Sequence, residues 1–384
     1  MEIKFKIKKI VFVGVFSLLA PLIIAQSAFT KGLSLSVNTY YGKVIKHTSK
    51  IHFDIHEPSF GTDLSLDFQT YGKKEWQQWR HYPSFGITLL HYNFNNDILG
   101  NANAILPHLN ISLIKRPKFS TSLEIGSGVA YISKPYNPIT NPTNNAIGSH
   151  WNNSTVIKLK SDINISSFAN LEAGVSLTHF SNGASNLPNF GVNIPAGFVG
   201  LSCHFPPSKQ NQKIYTPNSS KKIVDELSWG FTVHSDIAFR ESILPRGPKY
   251  PIYTQSLAVL YYLNKINRAS IGFDYEFNRA VYEFGLHTYN LKDGAEARIR
   301  SRRMAVTIGD EFLYGNIGIN LQMGFYTNQK EAFLLLAKFY NKFSLRIYTP
   351  RYGKSKLRNY AAVLLKTNLF NAEYIALGVG AEFN

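Results

Sequence analysis

The sequence predicts an all-β fold: an antiparallel transmembrane β-barrel of about 14 strands. Three observations lead to this prediction. Apolar and polar residues alternate with a period of two along much of the chain, aromatic residues make up 14% of it, and a leader-like segment precedes it. Mean hydropathy is only −0.13 and 17% of the residues are charged. This balance suits an apolar exterior around a polar lumen.

Residues 1–28 have the features of a secretory signal peptide. A lysine-rich start precedes an apolar run from Ile10 to Ala25, and the small residues at Ala25 and Ala28 offer cleavage sites. The run is shorter than the roughly 20 residues of a membrane-spanning helix. We therefore expect export and cleavage, with a retained membrane anchor as the alternative.

The remainder divides into two strand-rich regions. Residues 29–205 contain about eight alternating segments, the smallest number that usually closes a barrel, and residues 223–384 contain roughly six to eight more. Between them, residues 206–222 are polar and without periodicity, as in a linker or loop. One barrel of about 14 strands is favoured over an eight-stranded barrel with a C-terminal β extension, because a second barrel would need its own closure and membrane-facing surface. A soluble β-sandwich is the main structural alternative.

Acidic residues occur on the polar face of several predicted strands. Asp274 and Glu276, for example, alternate with Ile271, Phe273 and Tyr275. Two neighbouring carboxylates could perform acid–base chemistry, but a crowded or wet barrel interior explains them better. We expect both to line the lumen.

Charge and cysteine content limit the function classes. The formal charge of +17 favours an anionic partner. For an exported barrel we expect outer-membrane lipid, with its phosphate groups, rather than nucleic acid. Cys203 is the single cysteine, so an intrachain disulfide framework is excluded. The histidines are scattered and lack an HExxH pattern, and we expect no metal.

A base and a nucleophile type lie on the apolar face of one predicted strand. His179 and Ser181 project from the same side, because residues two apart in a strand share a face. That face continues the apolar series of Leu171, Val175 and Leu177. In a barrel with an apolar exterior, both side chains would face lipid near one end of their strand.

A hairpin centred on Asn186 would place Asn193 opposite His179, unless a bulge at Pro195 or Gly197 shifts the register. A serine, a histidine and an orienting group suit acyl transfer. Hydrogen-bond donors to the oxyanion would be Asn182, Gly183 and Asn189. The alternative is a polar strand end capped by an Asn/Gly-rich turn at the membrane interface.

The runs from His179 to Gly183 and from Leu187 to Asn193 resemble the signature of the lipid A 3-O-deacylase family, outer-membrane barrels that hydrolyse an ester-linked acyl chain of lipopolysaccharide. The resemblance extends over about residues 29–205 and is specific only within 179–193. It implies a Ser181 nucleophile and a His179 base on the lipid-facing exterior, lipid A as substrate, and no metal or cofactor. The family has a Glu where this chain has Asn193. The carbonyl oxygen of Asn can hold the imidazole but supplies no negative charge.

The sequence thus predicts an esterase of the Gram-negative outer membrane that acts on lipid A. Two other functions stay open: a non-enzymatic pore or structural barrel, and an acyltransferase that uses the same nucleophile with a phospholipid donor. Residues after 205 lie outside the resemblance, and the sequence assigns them no chemistry.

Overall fold

A computed structural model describes residues 32–204, 228–241, 244–287, 293–328, 337–350, 356–369 and 371–384. The predicted signal peptide (1–28) and the linker (206–222) lie outside these ranges.

The first eight strands form a closed antiparallel barrel. Each strand pairs with the next along the chain, and the last pairs with the first, with Leu35 opposite Cys203. The strands are β1 (Leu33–Gly42), β2 (Ser59–Gln69), β3 (Ser84–Asn93), β4 (Asn101–Lys115), β5 (Phe119–Ile132), β6 (Trp151–Asn164), β7 (Ala169–Ser181) and β8 (Val192–His204).

The next eight strands form a second closed barrel. Its last strand pairs with its first, with Leu377 opposite Ile237. The strands are β9 (Ser228–Glu241), β10 (Lys249–Tyr262), β11 (Asn267–Asn278), β12 (Arg302–Tyr314), β13 (Ile317–Tyr326), β14 (Phe339–Tyr348), β15 (Leu357–Asn368) and β16 (Asn371–Phe383). The helices are α1 (Glu75–Trp79), between β2 and β3, and α2 (Arg279–His287) and α3 (Gly294–Ser301), between β11 and β12.

The preference for a single barrel of about 14 strands is therefore wrong. The backbone groups on the outer edge of β8 bond to β1, so that edge is not free to receive β9. The eight strands in the first region agree with the alternative prediction. Its C-terminal extension, however, is itself a closed barrel with its own apolar exterior.

Each barrel has an apolar exterior and a polar lumen. On β11, Ile271 and Phe273 are exposed, whereas Asp274 and Glu276 are buried, which confirms the predicted lumen position of the two carboxylates. An apolar outer band around a polar interior is the pattern of a transmembrane barrel. A sandwich would bury its apolar faces against each other instead.

Ion pairs fill the two lumens. In the first barrel, Lys158 Nζ lies 2.7 Å from Asp63 Oδ2 and 2.9 Å from Glu124 Oε1. In the second, Arg268 lies 2.8 Å from a carboxylate oxygen of Glu311 and 2.6 Å from one of Glu382. An eight-stranded barrel is just wide enough for side chains to fill its interior. These lumens therefore hold side chains where a wide porin holds water.

The connections define two different rims. One rim carries long connections, including residues 43–58, 133–150 and 182–191 and the segment with α2 and α3. The other carries the short turns 116–118, 165–168 and 315–316. In outer-membrane barrels the long loops are extracellular and the short turns periplasmic. Among the described residues, no helix has the length and apolarity needed to span a membrane.

The two barrels contact each other at both rims. At the short-turn rim, Arg80 at the end of α1 donates hydrogen bonds to the carbonyl oxygens of Ile266 (2.5 Å) and Leu313 (3.3 Å). At the long-loop rim, residues 184–187 contact the ends of β9 and β10. The segment that follows Ser181 therefore lies against the second barrel.

Candidate active site

His179 and Ser181 lie at the long-loop end of β7, on its outward face. The same face carries Val175 and Leu177, which are 60% and 44% exposed. Strand alternation puts all four residues on one side, as the sequence predicts. Ser181 itself is only 6% exposed.

The register of β7 with β8 places His179 directly opposite Asn193. This is the predicted pairing, and neither Pro195 nor Gly197 shifts it. His179 Nδ1 is 2.6 Å from Asn193 Oδ1, and His179 Nε2 is 2.9 Å from Ser181 Oγ. The three side chains form one hydrogen-bonded chain on the exterior of the first barrel.

The loop between β1 and β2 contacts Asn193 and the β7–β8 hairpin from the other side of β8. Ile45 N donates to Asn193 O at 2.9 Å, which anchors the backbone of the orienting residue. His47 Nε2 lies 2.9 Å from Phe190 O. From sequence, His47 is expected to be a surface residue of an early loop. It is indeed exposed, and its contact with the β7–β8 hairpin joins segments 143 residues apart, which no local pattern indicates.

Gly191 makes room for the imidazole. Its φ is +82°, a region that strongly favours glycine, and a Cβ added there would lie 2.7 Å from His179 Cε1. Gly191 belongs to the run from Leu187 to Asn193, and the sequence pattern assigns it no role. The close approach of backbone and ring appears only once the hairpin is folded.

The three proposed oxyanion donors have different environments. Asn182 N donates to Asn189 Oδ1 at 2.9 Å, and Asn182 Nδ2 donates to Ser149 Oγ at 2.9 Å. The backbone N–H of Gly183 has no hydrogen-bond partner within the described part of the chain. Both donor atoms of Asn182 are therefore used within the loop region, whereas Asn189 only accepts through Oδ1, so its Nδ2 and Gly183 N keep free donors in the described part of the chain.

An apolar groove of about 600 Å³ runs along the exterior beside the chain of three residues. Gly197 lines the groove, and a Cβ added to it would meet no atom within 4 Å. Its lining residues include Tyr41, Lys43, His56, Val175, Pro195 and Gly197. Pro195 is two residues from Asn193, so the groove begins next to the candidate site. In the described ranges, no group of three His, Cys, Asp or Glu side chains is placed to hold a metal ion.

Comparison with known families matches each half of the chain to a hydrolase family. Residues 60–202 match the family described as lipid A 3-O-deacylase (PagL). Residues 225–384, which lay outside the sequence resemblance, match the family described as acyloxyacyl hydrolase, C-terminal domain. A search of curated proteins found no match.

Two solved structures are also similar to parts of the chain. The crystal structure of the outer membrane enzyme PagL is 17% identical, covers 43% of this chain and 97% of its own, and has a TM-score of 0.33. Neisserial surface protein A (NspA) is 10% identical, covers 46% of this chain and 98% of its own, and has a TM-score of 0.32.

The two family matches, on residues 60–202 and 225–384, together span most of the chain and its two barrels. Neither match covers half of the chain by itself, and together they identify the protein as a carboxylic ester hydrolase that is similar to the lipid A 3-O-deacylases.

Proposed function

We propose that Ser181 is the nucleophile of this hydrolase, that His179 is its general base, and that Asn193 orients the imidazole. The substrate is an ester-linked acyl chain of lipid A in the outer leaflet. The observation that carries the proposal is the hydrogen-bonded chain from Ser181 Oγ through His179 to Asn193 Oδ1.

The two hydrogen bonds of His179 favour one tautomer of its imidazole. Asn193 Oδ1 is an acceptor, so His179 Nδ1 carries the proton of their 2.6 Å hydrogen bond. Nε2 then has a free lone pair toward Ser181 Oγ, as a general base requires. Since Asn193 is neutral, it holds the ring in place but does not stabilise the imidazolium by charge.

The position of Ser181, His179 and Asn193 on the barrel suits a lipid substrate. The three residues lie on the exterior near the long-loop rim, where the outer leaflet would meet the barrel. The neighbouring groove is walled by Tyr41 and Val175, and Lys43 and His56 also line it. An acyl chain would occupy the apolar part, and the basic groups would favour an anionic headgroup.

The reaction follows from this geometry. Ser181 Oγ attacks the ester carbonyl carbon while His179 Nε2 takes the hydroxyl proton. The Gly183 N–H would stabilise the resulting oxyanion. Collapse breaks the bond to the sugar oxygen, which receives the proton from His179. Water then attacks the acyl-enzyme, again with His179 as base, and releases the fatty acid and free Ser181.

Mass spectrometry of lipid A from cells that express Ser181→Ala tests the proposal. We expect lipid A to keep the acyl chain that the unchanged protein removes. Ser161→Ala is the matched control, because Ser161 is on β6 and pairs with Ala173, far along β7 from His179. It should deacylate normally. Deacylation by a folded Ser181→Ala variant would refute the nucleophile.

The same samples separate the other functions. Transfer of labelled acyl chains from phospholipid to lipid A would identify an acyltransferase. Ion conductance in planar bilayers with unchanged lipid A mass would identify a pore, a result at odds with the ion pairs that fill both lumens.

A further inference from the structure

The segment after Ser181 is held by a carboxylate of the second barrel. Glu241, the last residue of β9, is 1% exposed. Its Oε2 accepts a hydrogen bond from Leu187 N at 2.6 Å, and its Oε1 accepts one from Asn186 Nδ2 at 3.2 Å. One buried side chain therefore ties down two successive residues of the hairpin.

The ends of β9 and β10 make two further contacts with this hairpin. Lys249, the cross-strand partner of Glu241, donates from Nζ to Asn186 Oδ1 at 3.0 Å. Both polar ends of the Asn186 amide are thus occupied by the β9–β10 pair. The backbone N–H of Glu241 also donates to Ala184 O at 3.3 Å. Four hydrogen bonds join residues 184–187 to the end of one β-hairpin in the second barrel.

The loop that these contacts hold has an unusual backbone. Gly183 and Ala184 both have left-handed conformations, with φ of +61° and +59°. For alanine this region carries a steric cost, and such conformations persist where surrounding contacts impose them. Gly183 also packs closely on β16, since a Cβ added to it would lie 2.6 Å from Ile375 Cγ1. Hydrogen bonds from Ser185 N and Asn186 N to Asn182 hold this shape from within the loop, and the contacts from the second barrel hold it from outside.

We propose that Glu241 is a positioning residue for the active site, and that the second barrel serves to hold residues 182–187 in their catalytic conformation. The inference rests on the proposed function, in which the Gly183 N–H stabilises the oxyanion. Glu241 would act through the loop and touch no reacting atom. A small displacement of such a donor strongly lowers the rate of the chemical step.

A simpler interpretation is that these hydrogen bonds only join the barrels. Arg80 provides the matched control, because it joins them at the opposite rim through the carbonyl oxygens of Ile266 and Leu313, away from the site. If the contact at Glu241 only joins the barrels, Arg80→Ala and Glu241→Ala should have similar effects. If Glu241 positions the loop, only its own variant should slow the reaction.

The experiment measures kcat and KM for the release of fatty acid from lipid A in detergent, with the full-length variants Glu241→Ala, Glu241→Gln and Arg80→Ala. Folding is checked by heat-modifiable migration on gels. For Glu241→Ala we expect kcat to fall by about 10- to 100-fold with KM changed less than about twofold. Glu241→Gln should be intermediate, since its carbonyl oxygen can still accept from Leu187 N. Arg80→Ala should stay within about twofold of the unchanged protein.

Reaction of Ser181 with a small fluorophosphonate probe gives an independent readout, because it also requires the oxyanion donor but not lipid A binding. Its rate should decrease in the same order. If Glu241→Ala does not fold, Asn186→Ala removes part of the same contact from the loop side and should lower kcat with KM unchanged.

Two outcomes would overturn the inference: full kcat in folded Glu241→Ala, or an equal loss in Arg80→Ala. Ser181→Ala separates this failure from failure of the proposed function. If Ser181→Ala is inactive while Glu241→Ala is fully active, only the positioning role is wrong. If Ser181→Ala is active, the nucleophile itself is wrong, whatever the Glu241 variants show.

Discussion

A charged partner for His179 should accelerate this enzyme. Asn193→Asp keeps the shape of the side chain and therefore the 2.6 Å hydrogen bond from His179 Nδ1. It replaces a neutral acceptor with a carboxylate. As Ser181 attacks, His179 gains a proton, and the new negative charge stabilises the imidazolium that forms.

The size of the effect follows from the strength of that hydrogen bond. A hydrogen bond between neutral groups contributes about 0.5–1.5 kcal/mol and one to a charged group about 1.5–3 kcal/mol. The difference is about 1–1.5 kcal/mol, and the short distance and half-buried ring favour the upper end. Since 1.36 kcal/mol corresponds to a factor of ten in rate, kcat should rise about tenfold.

The assay is fatty-acid release from lipid A near neutral pH, with kcat determined separately from KM. Asn164→Asp is the control for general charge effects. Asn164 is exposed at the opposite end of the β6–β7 pair, where it pairs with Asn170 and not with a residue of the site. We expect it to change kcat by less than about twofold. An unchanged or lower kcat in folded Asn193→Asp would refute the argument that the missing negative charge beside His179 limits the rate of the reaction.

Three more predictions follow from the structure. Gly191→Ala should lower kcat by about tenfold or more without unfolding the barrel, since the added Cβ would lie 2.7 Å from the His179 ring; unchanged kcat would contradict the close approach. Gly197→Phe should raise KM with little change in kcat, because it fills the groove of about 600 Å³, and unchanged KM for lipid A would show that the acyl chain lies elsewhere. Lys158→Met should destabilise the first barrel by about 3–5 kcal/mol in urea unfolding, because it leaves Asp63 and Glu124 buried without their shared cation. Lys46→Met is the control and should have little effect on the free energy of unfolding, because the partner of Lys46, Asp54, is exposed.

Local patterns in the sequence are sufficient to predict the placement of the central site residues. The period of two puts His179 and Ser181 on the face of Val175 and Leu177, and the short hairpin puts Asn193 opposite His179. Both relations depend only on neighbours along one strand or across one turn, so they are readable before the fold is known. The structure has the same face and the same register.

Contacts between distant segments could not be predicted in this way. His47 and Ser149 contact the hairpin from other loops, and Glu241 contacts it from another barrel. Nothing in the alternation around Glu241 distinguishes it from other polar residues at strand ends. The role that we propose for it depends on how two separate barrels lie against each other at the rim.

The sequence by itself determined that the protein is built from barrel strands and that His179 and Ser181 share the apolar, outward face of one of them. Alternation records which face of a strand is apolar, and that is a property of each strand alone. Only the tertiary structure decided that 16 strands close as two barrels of eight. Closure depends on which edge bonds to which, and a strand has the same alternation whether β8 pairs with β1 or with β9. That closure also brings a second barrel against the loop that follows Ser181.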